Sequence, residues 1–170
     1  MITYASLDTP IGKLLIAKTS LGVCKISLQS ENDSTFFQWI LDIFPKEEMV
    51  ENSNALQDEL NELREYFDGV RENFTFPIDL RTTQFQEKAL KKVAEIPFGK
   101  TASYKEIAER MNNAKAVRAV GSANGRNPVP IVIPCHRVIA HDGTLGGFGG
   151  GLPMKKWLLK HERSPLSHSD

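Results

Sequence analysis

Residues 127–139 read Asn-Pro-Val-Pro-Ile-Val-Ile-Pro-Cys-His-Arg-Val-Ile, and no other stretch restricts the chain so strongly. Three prolines within eight positions lock φ and remove backbone donors, which forbids a regular helix or a central strand. The run reads as a stiff, extended segment that delivers Cys135 and His136 to one place. A free thiol, with an ordinary pKa of about 8.5, is only a few per cent ionised near neutrality. A neighbouring imidazole can take its proton. Most free cysteines, however, are small core hydrophobes, and adjacent residues of a strand face opposite ways. The functional reading therefore requires a tight turn just after Pro134.

The charge of the chain is zero overall but unevenly spread. Residues 1–80 carry 6 Lys+Arg against 14 Asp+Glu, and residues 81–163 carry 15 against 6. Such asymmetry points to a second half that meets a polyanion on one side. No apolar run reaches the roughly 18 residues of a membrane span. The N-terminus lacks the pattern of a secretory signal, and two distant cysteines suggest a reducing compartment rather than a disulfide scaffold. A cytoplasmic location is expected.

In the acidic half, Val23–Leu28 alternates Cys24, Ile26 and Leu28 with Lys25 and Ser27, the period of a half-buried strand, so Cys24 reads as core. Ser34 is expected to cap a helix whose apolar face is Phe36, Phe37, Ile40, Leu41 and Phe44. A second helix over about 53–68 carries the stripe Leu56, Leu60, Leu63 and Phe67, with Gly69 at its end. Residues 74–80 read as an edge strand or linker. Nothing in this half suggests chemistry.

The basic half opens on the capping-box pattern Thr83-x-x-Gln86, and a second, Ser103-x-x-Glu106, starts a short helix. A turn at Asn112-Asn113 leads to a basic helix of small residues, the outline of a helix-turn-helix. Few of its side chains reach base edges in a wide major groove. Its small residues instead suit a close backbone approach in a narrow minor groove. Neither Gly99-Lys-Thr101 nor the run Gly146–Gly151 completes a nucleotide-binding fingerprint. The last helix starts near Gly151-Leu-Pro153, and Glu162 falls on its inward stripe with Leu158 and Leu159. A carboxylate there needs a partner, and a buried imidazole is a natural one. His141 reads as a surface residue, and the residues after Arg163 read as a tail in which His168 is inert.

Pro134-Cys-His-Arg-Val138, preceded by Asn127-Pro-Val-Pro130 and followed by Trp157-Leu-Leu-Lys-His-Glu162, resembles the O6-alkylguanine-DNA alkyltransferases. The likeness is strong over about residues 80–163 and extends to 1–79 only in element order. It implies an α+β fold: an N-terminal ribonuclease-H-like α/β domain over 1–79, then a mainly helical, winged-helix-like domain with a helix-turn-helix over 80–166. A disordered tail, 167–170, would follow.

The resemblance also implies roles. Cys135 would be the alkyl acceptor, His136 would take its proton through a water, Glu162 would hold the imidazole, and Asn127 would brace the turn. The lesion base would be flipped out of double-stranded DNA, approached by the minor groove. Arg118 would fill the gap, and Tyr104 would rotate the phosphate and touch the base. Lys115, Ala119, Ser122 and Arg126 would complete the DNA face. Val138, Phe148, Gly149, Gly150 and Lys155 would surround the base. A tyrosine-serine pair stands in the vertebrate branch where this chain has Phe148-Gly149, so only backbone groups of Gly149 would reach O6. The reaction would be a single, irreversible transfer by a monomer, needing no cofactor. No zinc is expected, since no histidine precedes His136. The competing readings are an alkyltransferase-like protein that binds lesions without reacting, a papain-like cysteine hydrolase, and a helix-turn-helix regulator.

Overall fold

A computed structural model describes residues 1–163; the expected tail and His168 lie outside the described residues. The chain divides into two compact units, Met1–Arg81 and the residues from Thr82 onward.

In the first unit, β1 (Ile2–Thr9) turns at Pro10-Ile11 into antiparallel β2 (Gly12–Lys18), and β2 turns again into β3 (Val23–Ser27). Helix α1 (Asp33–Ile43) crosses to β4 (Met49–Glu51), which pairs in parallel with β1. The sheet order is β3-β2-β1-β4. A single 3-10 turn, Asn54–Leu56, runs into α2 (Gln57–Phe67). Leu56, Leu60, Leu63 and Phe67 are all buried, as their spacing requires, and Gly69 follows at φ +82°. One core gathers Ile2, Leu15, Ala17 and Cys24 against Phe36 and Ile40 of α1.

Three expectations change here. The cap of α1 is Asn32, whose side chain accepts from the Thr35 amide at 2.8 Å, and Ser34 lies inside the helix. Leu41 is exposed, because Phe36 and Ile40 already fill the face turned to the sheet. Strand β3 is buried on both faces rather than one. Pro77–Asp79 runs along it, with Val23 donating to the Pro77 carbonyl and Asp79 donating back to Val23. Lys25 is buried along its stem while its ammonium lies over the Trp39 ring and reaches Glu31.

The second unit begins with α3 (Gln84–Ala94), closed at its start by the Thr83/Gln86 capping box. Strand β5 (Ala102–Ser103) runs straight into α4 (Tyr104–Arg110), and a turn joins α4 to α5 (Val117–Gly125), which gives the helix-turn-helix. A 3-10 turn, Cys135–Arg137, continues into β6 (Val138–Ile139), and α6 (Leu152–His161) ends the unit. Strands β5 and β6 pair in parallel, Ala102 with Val138 and Ser103 with Ile139. This two-stranded ribbon ties the first residue of α4, Tyr104, to the end of the cysteine turn. The core that holds it is Leu90, Val93, Ile107, Ala108, Val120, Val129 and Leu158. Among the described residues, no helix is long and apolar enough to cross a membrane.

The Ser103 hydroxyl accepts from the Glu106 amide at 3.0 Å, and the Glu106 carboxylate accepts from the Ser103 amide at 3.2 Å. Ser103→Ala removes the first of these, so chemical denaturation should register a loss of about 1 kcal/mol. An unchanged midpoint would mean that the cap contributes nothing.

Candidate active site

The proline run is folded back rather than extended. The Ile133 amide donates to Val129, and the Cys135 amide donates to Ile133 across Pro134, whose φ −82° and ψ 67° make an inverse γ-turn. The physical reason is that a run with so few free N–H groups cannot join a ladder, and a side chain supplies the missing bonds instead. Asn127 donates to the Ile133 carbonyl at 2.8 Å and accepts from the Val129 amide at 3.0 Å, so one amide closes the loop at both ends. Inside the loop, buried Ile131 sits at φ +75°. A β-branched residue in that region carries strain of order 1–3 kcal/mol and persists only where its surroundings enforce it.

The tight turn that the functional reading required follows directly. Cys135, His136 and Arg137 form one 3-10 turn, so consecutive side chains leave in different directions. The Cys135 residue is 5% exposed. Burial pushes its thiol up, against Asn127 and Lys155, which pull it down. Burial prevails, so the thiol lies above its ordinary value and a base must take its proton during reaction.

His136 is fully buried, and its Nε2 lies 2.7 Å from Glu162 Oε2. Arg137 grips the same carboxylate twice, Nε to Oε1 at 2.7 Å and Nη2 to Oε2 at 3.0 Å, while Nη1 donates to the Ile96 carbonyl at 2.7 Å. Burial alone would raise the Glu162 carboxyl; hydrogen bonds and charge from His136 and Arg137 outweigh it and bring it down to about 2. Burial holds His136 below its ordinary value, though Glu162 opposes this. A neutral imidazole facing an ionised carboxylate must present its N–H at Nε2. That leaves Nδ1 as a buried lone pair, and among the described residues no group donates to it. The arrangement is a base with its proton-accepting nitrogen free.

Lys155 is completely buried. Its ammonium donates to the Val138 carbonyl at 2.6 Å and the Gly147 carbonyl at 3.1 Å, pinning the glycine-rich loop to β6. Burial brings its pKa down to about 8. Val138 itself is buried, with its carbonyl engaged in this way. Along the loop Phe148 and Gly150 are half-buried and Gly149 is exposed. Gly146 has φ +71°, a conformation that favours glycine, and a Cβ there would stand a tight 3.2 Å from the Tyr104 ring and hydroxyl.

Lys115, Arg118, Ala119, Ser122 and Arg126 are all exposed; Arg118, Ala119 and Ser122, at spacings of three and four, share one side of α5, with Lys115 just before the helix and Arg126 at its C-cap. Gly125 adds open space on that helix. His141 is exposed. Among the described residues, no three of His, Cys, Asp and Glu gather as metal ligands would.

Two residues escaped the sequence reading. Arg137 stands in the Pro-Cys-His-Arg-Val motif, and a buried Glu162 with two acceptor oxygens was the signal that a second donor was needed. Asn124 donates to the Cys135 carbonyl at 3.1 Å. Its only signal was a polar residue among the inward-facing Val120 and Ala123.

Two family models match: "6-O-methylguanine DNA methyltransferase, ribonuclease-like domain" over residues 2–80, and "6-O-methylguanine DNA methyltransferase, DNA binding domain" over residues 84–164. The chain is 41% identical to the inducible methylated-DNA–protein-cysteine methyltransferase of Bacillus subtilis, over 91% of this chain and 87% of the relative. It is 37% identical to the methylated-DNA–protein-cysteine methyltransferase of Methanosarcina barkeri, over 96% of this chain and 98% of the relative. The crystal structure of Mycobacterium tuberculosis O6-methylguanine methyltransferase superposes with a TM-score of 0.83 at 34% identity, covering 100% of this chain and 97% of that one. A Mycobacterium tuberculosis OGT in complex with DNA gives 0.83 at 35% identity, covering 97% and 96%.

The pKa shifts fix the sign of the acid response. His136 and Glu162 are both depressed, from 6.5 and from 4.5 respectively, so the unfolded chain binds protons first. The contribution of these two groups is complete above about pH 6.5 and should be lost as the pH drops below that value and again between about 4.5 and 2. Denaturant midpoints measured from pH 7 to pH 3 should decline accordingly. Glu162→Gln strands the buried guanidinium of Arg137 and should cost about 3 kcal/mol at pH 7. A variant as stable as the parent would overturn the pairing.

Proposed function

The chain belongs to the 6-O-methylguanine DNA methyltransferase family, and from that premise we propose that Cys135 is the sulfur that receives the alkyl group. The family reaction is direct damage reversal: an alkyl group passes from O6-alkylguanine in DNA to a protein cysteine, once per molecule. DNA is the partner. The unfilled lone pair at His136 Nδ1, on the residue next to Cys135, carries the assignment.

In the mechanism, the Cys135 proton goes to His136 Nδ1, through a bridging water. The imidazolium that results is stabilised by Glu162, whose charge is already in place. The sulfur lone pair then forms the S–C bond as the C–O6 bond breaks, and the proton passes on to the guanine. The thioether is stable and no group here removes it, so each molecule acts once. Arg137 and Asn127 act as positioning residues, the first on Glu162 and the second on the loop that carries Cys135.

The base must leave the duplex to reach Cys135, at a cost of a few kcal/mol. Arg118 takes its place in the stack, and Tyr104 meets the extruded nucleotide between α5 and the glycine-rich loop. The exposed small residues of α5, Ala119, Ser122 and Gly125, suit backbone approach in the minor groove. Lys115 and Arg126 pair with phosphates. Phe148, Gly149 and Gly150 wall the base, and Lys155 holds that wall against β6. The molecule acts as a monomer.

Incubation with duplex DNA containing labelled O6-methylguanine should leave one methyl group per protein, on the peptide containing Cys135. An unmodified peptide with the lesion bound favours a non-reacting lesion binder, and product beyond one equivalent favours a hydrolase. Arg118→Ala should slow transfer about tenfold or more from duplex and much less from single strands. Equal losses on both would remove the stack-filling role.

A further inference from the structure

Residues 97–100 join α3 to β5 in a tight turn. The Lys100 amide donates to the Pro97 carbonyl at 3.0 Å, and Gly99, third in the turn, stands at φ +78° as a type II turn requires. No step of the transfer uses this turn, yet it borders the buried pair of Glu162 and Arg137. Arg137 Nη1 donates to the carbonyl of Ile96, the residue before the turn, at 2.7 Å. The Arg137 guanidinium lies over the Phe98 ring, 5.8 Å from its centre. A Cβ added to Gly99 would stand 3.1 Å from the Glu162 backbone carbonyl, closer than β-carbons ordinarily approach.

Three contacts thus converge on the pair from one short segment. Glu162 and Arg137 are buried, and Phe98 is half-buried beside them. A cation over an aromatic face gains most where water is scarce. Leucine would fill much of the same space without that attraction. At Gly99 a side chain must push the Glu162 backbone away by a few tenths of an ångström, and the carboxylate rides on that backbone. His136 Nε2 then loses the 2.7 Å contact that selects its tautomer.

We propose that Phe98 and Gly99 are positioning residues for the transfer: the Phe98 ring steadies Arg137 against Glu162, and the bare Cα of Gly99 lets the end of α6 sit where Glu162 reaches His136. Neither residue touches the base or the alkyl group. Both act on which ring nitrogen of His136 is left free, and so on how fast the Cys135 proton departs. This rests on the assignment of Cys135 as acceptor.

The test uses the full chain. It measures single-turnover methyl transfer from duplex O6-methylguanine at saturating DNA, with nitrogen NMR of histidine-labelled protein alongside. Phe98→Leu should lower the maximal rate about fivefold and leave the half-saturating DNA concentration unchanged. Phe98→Tyr keeps the ring and should restore the rate. Asparagine tolerates positive φ, so a glycine needed only for its turn could become asparagine without loss. Because asparagine carries a Cβ, Gly99→Asn should instead slow transfer about tenfold, the worth of a hydrogen bond to a charged group. In both slow variants the His136 signals, assigned by their loss in His136→Gln, should show Nδ1–H beside Nε2–H, where the parent shows Nε2–H alone. A leucine variant as fast as the parent, a tyrosine variant as slow as the leucine one, an asparagine variant at the parent rate, or slow variants with the parent tautomer would each overturn the proposal. Should either slow variant fail to fold, the other still decides. A parent protein that leaves Cys135 unmethylated would instead defeat the acceptor assignment itself.

Discussion

Everything in the reactive unit leans on one buried carboxylate. Glu162, at the end of α6, is gripped by His136 and Arg137 on the same 3-10 turn that carries Cys135. A lone buried carboxylate would neutralise itself; two donors, one of them a permanent cation, keep it charged. Its charge then fixes the tautomer of His136 and so decides which ring nitrogen is free. Arg137 reaches further, to the Ile96 carbonyl just beyond α3, so the carboxylate also joins the last helix to the region before β5. Stability and reactivity thus draw on the same three side chains.

The electrostatics distinguish this site from one that stores a thiolate. Burial raises the thiol and lowers the imidazole from their ordinary values, which disfavours the charged form of each. A protein that reacts once has reason to keep its sulfur protonated until a substrate is in place, because a standing thiolate is exposed to any electrophile. The same burial explains the dense local scaffolding. Asn127 closes the loop before the cysteine, Ile131 is held at positive φ within it, and Lys155 fastens the glycine-rich loop to β6. Each fixes backbone that the prolines and glycines would otherwise leave without regular partners.

The two halves were legible to different degrees. Stripes such as Leu56, Leu60, Leu63 and Phe67 were read correctly because helical period alone places them, and both capping boxes formed as written. The cap of α1 was misplaced by two residues, since Asn32 and Ser34 are both good caps and local sequence does not rank them. The alternation of β3 misled for another reason: Lys25 is covered by the Trp39 ring of α1 and paired with Glu31, contacts that the period of the strand does not reveal. The proline run was read as extended, and it is a turn because the Asn127 side chain bonds at both of its ends.

What the sequence settled by itself was chemistry and periodicity: a cysteine beside a histidine after a proline, an inward-facing glutamate on the last helix, a basic helix of small residues. These follow from residue type and spacing, which local physics reads directly. Only the tertiary structure decided how the polar groups share their partners. Arg137 and His136 meet Glu162 across 25 and 26 positions, and Arg137 meets Ile96 across 41. The orientation of the Asn124 amide was likewise fixed by a carbonyl 11 residues on. Periodicity tells which side of a helix turns inward, but the pairing of buried donors with acceptors is set by where distant segments meet.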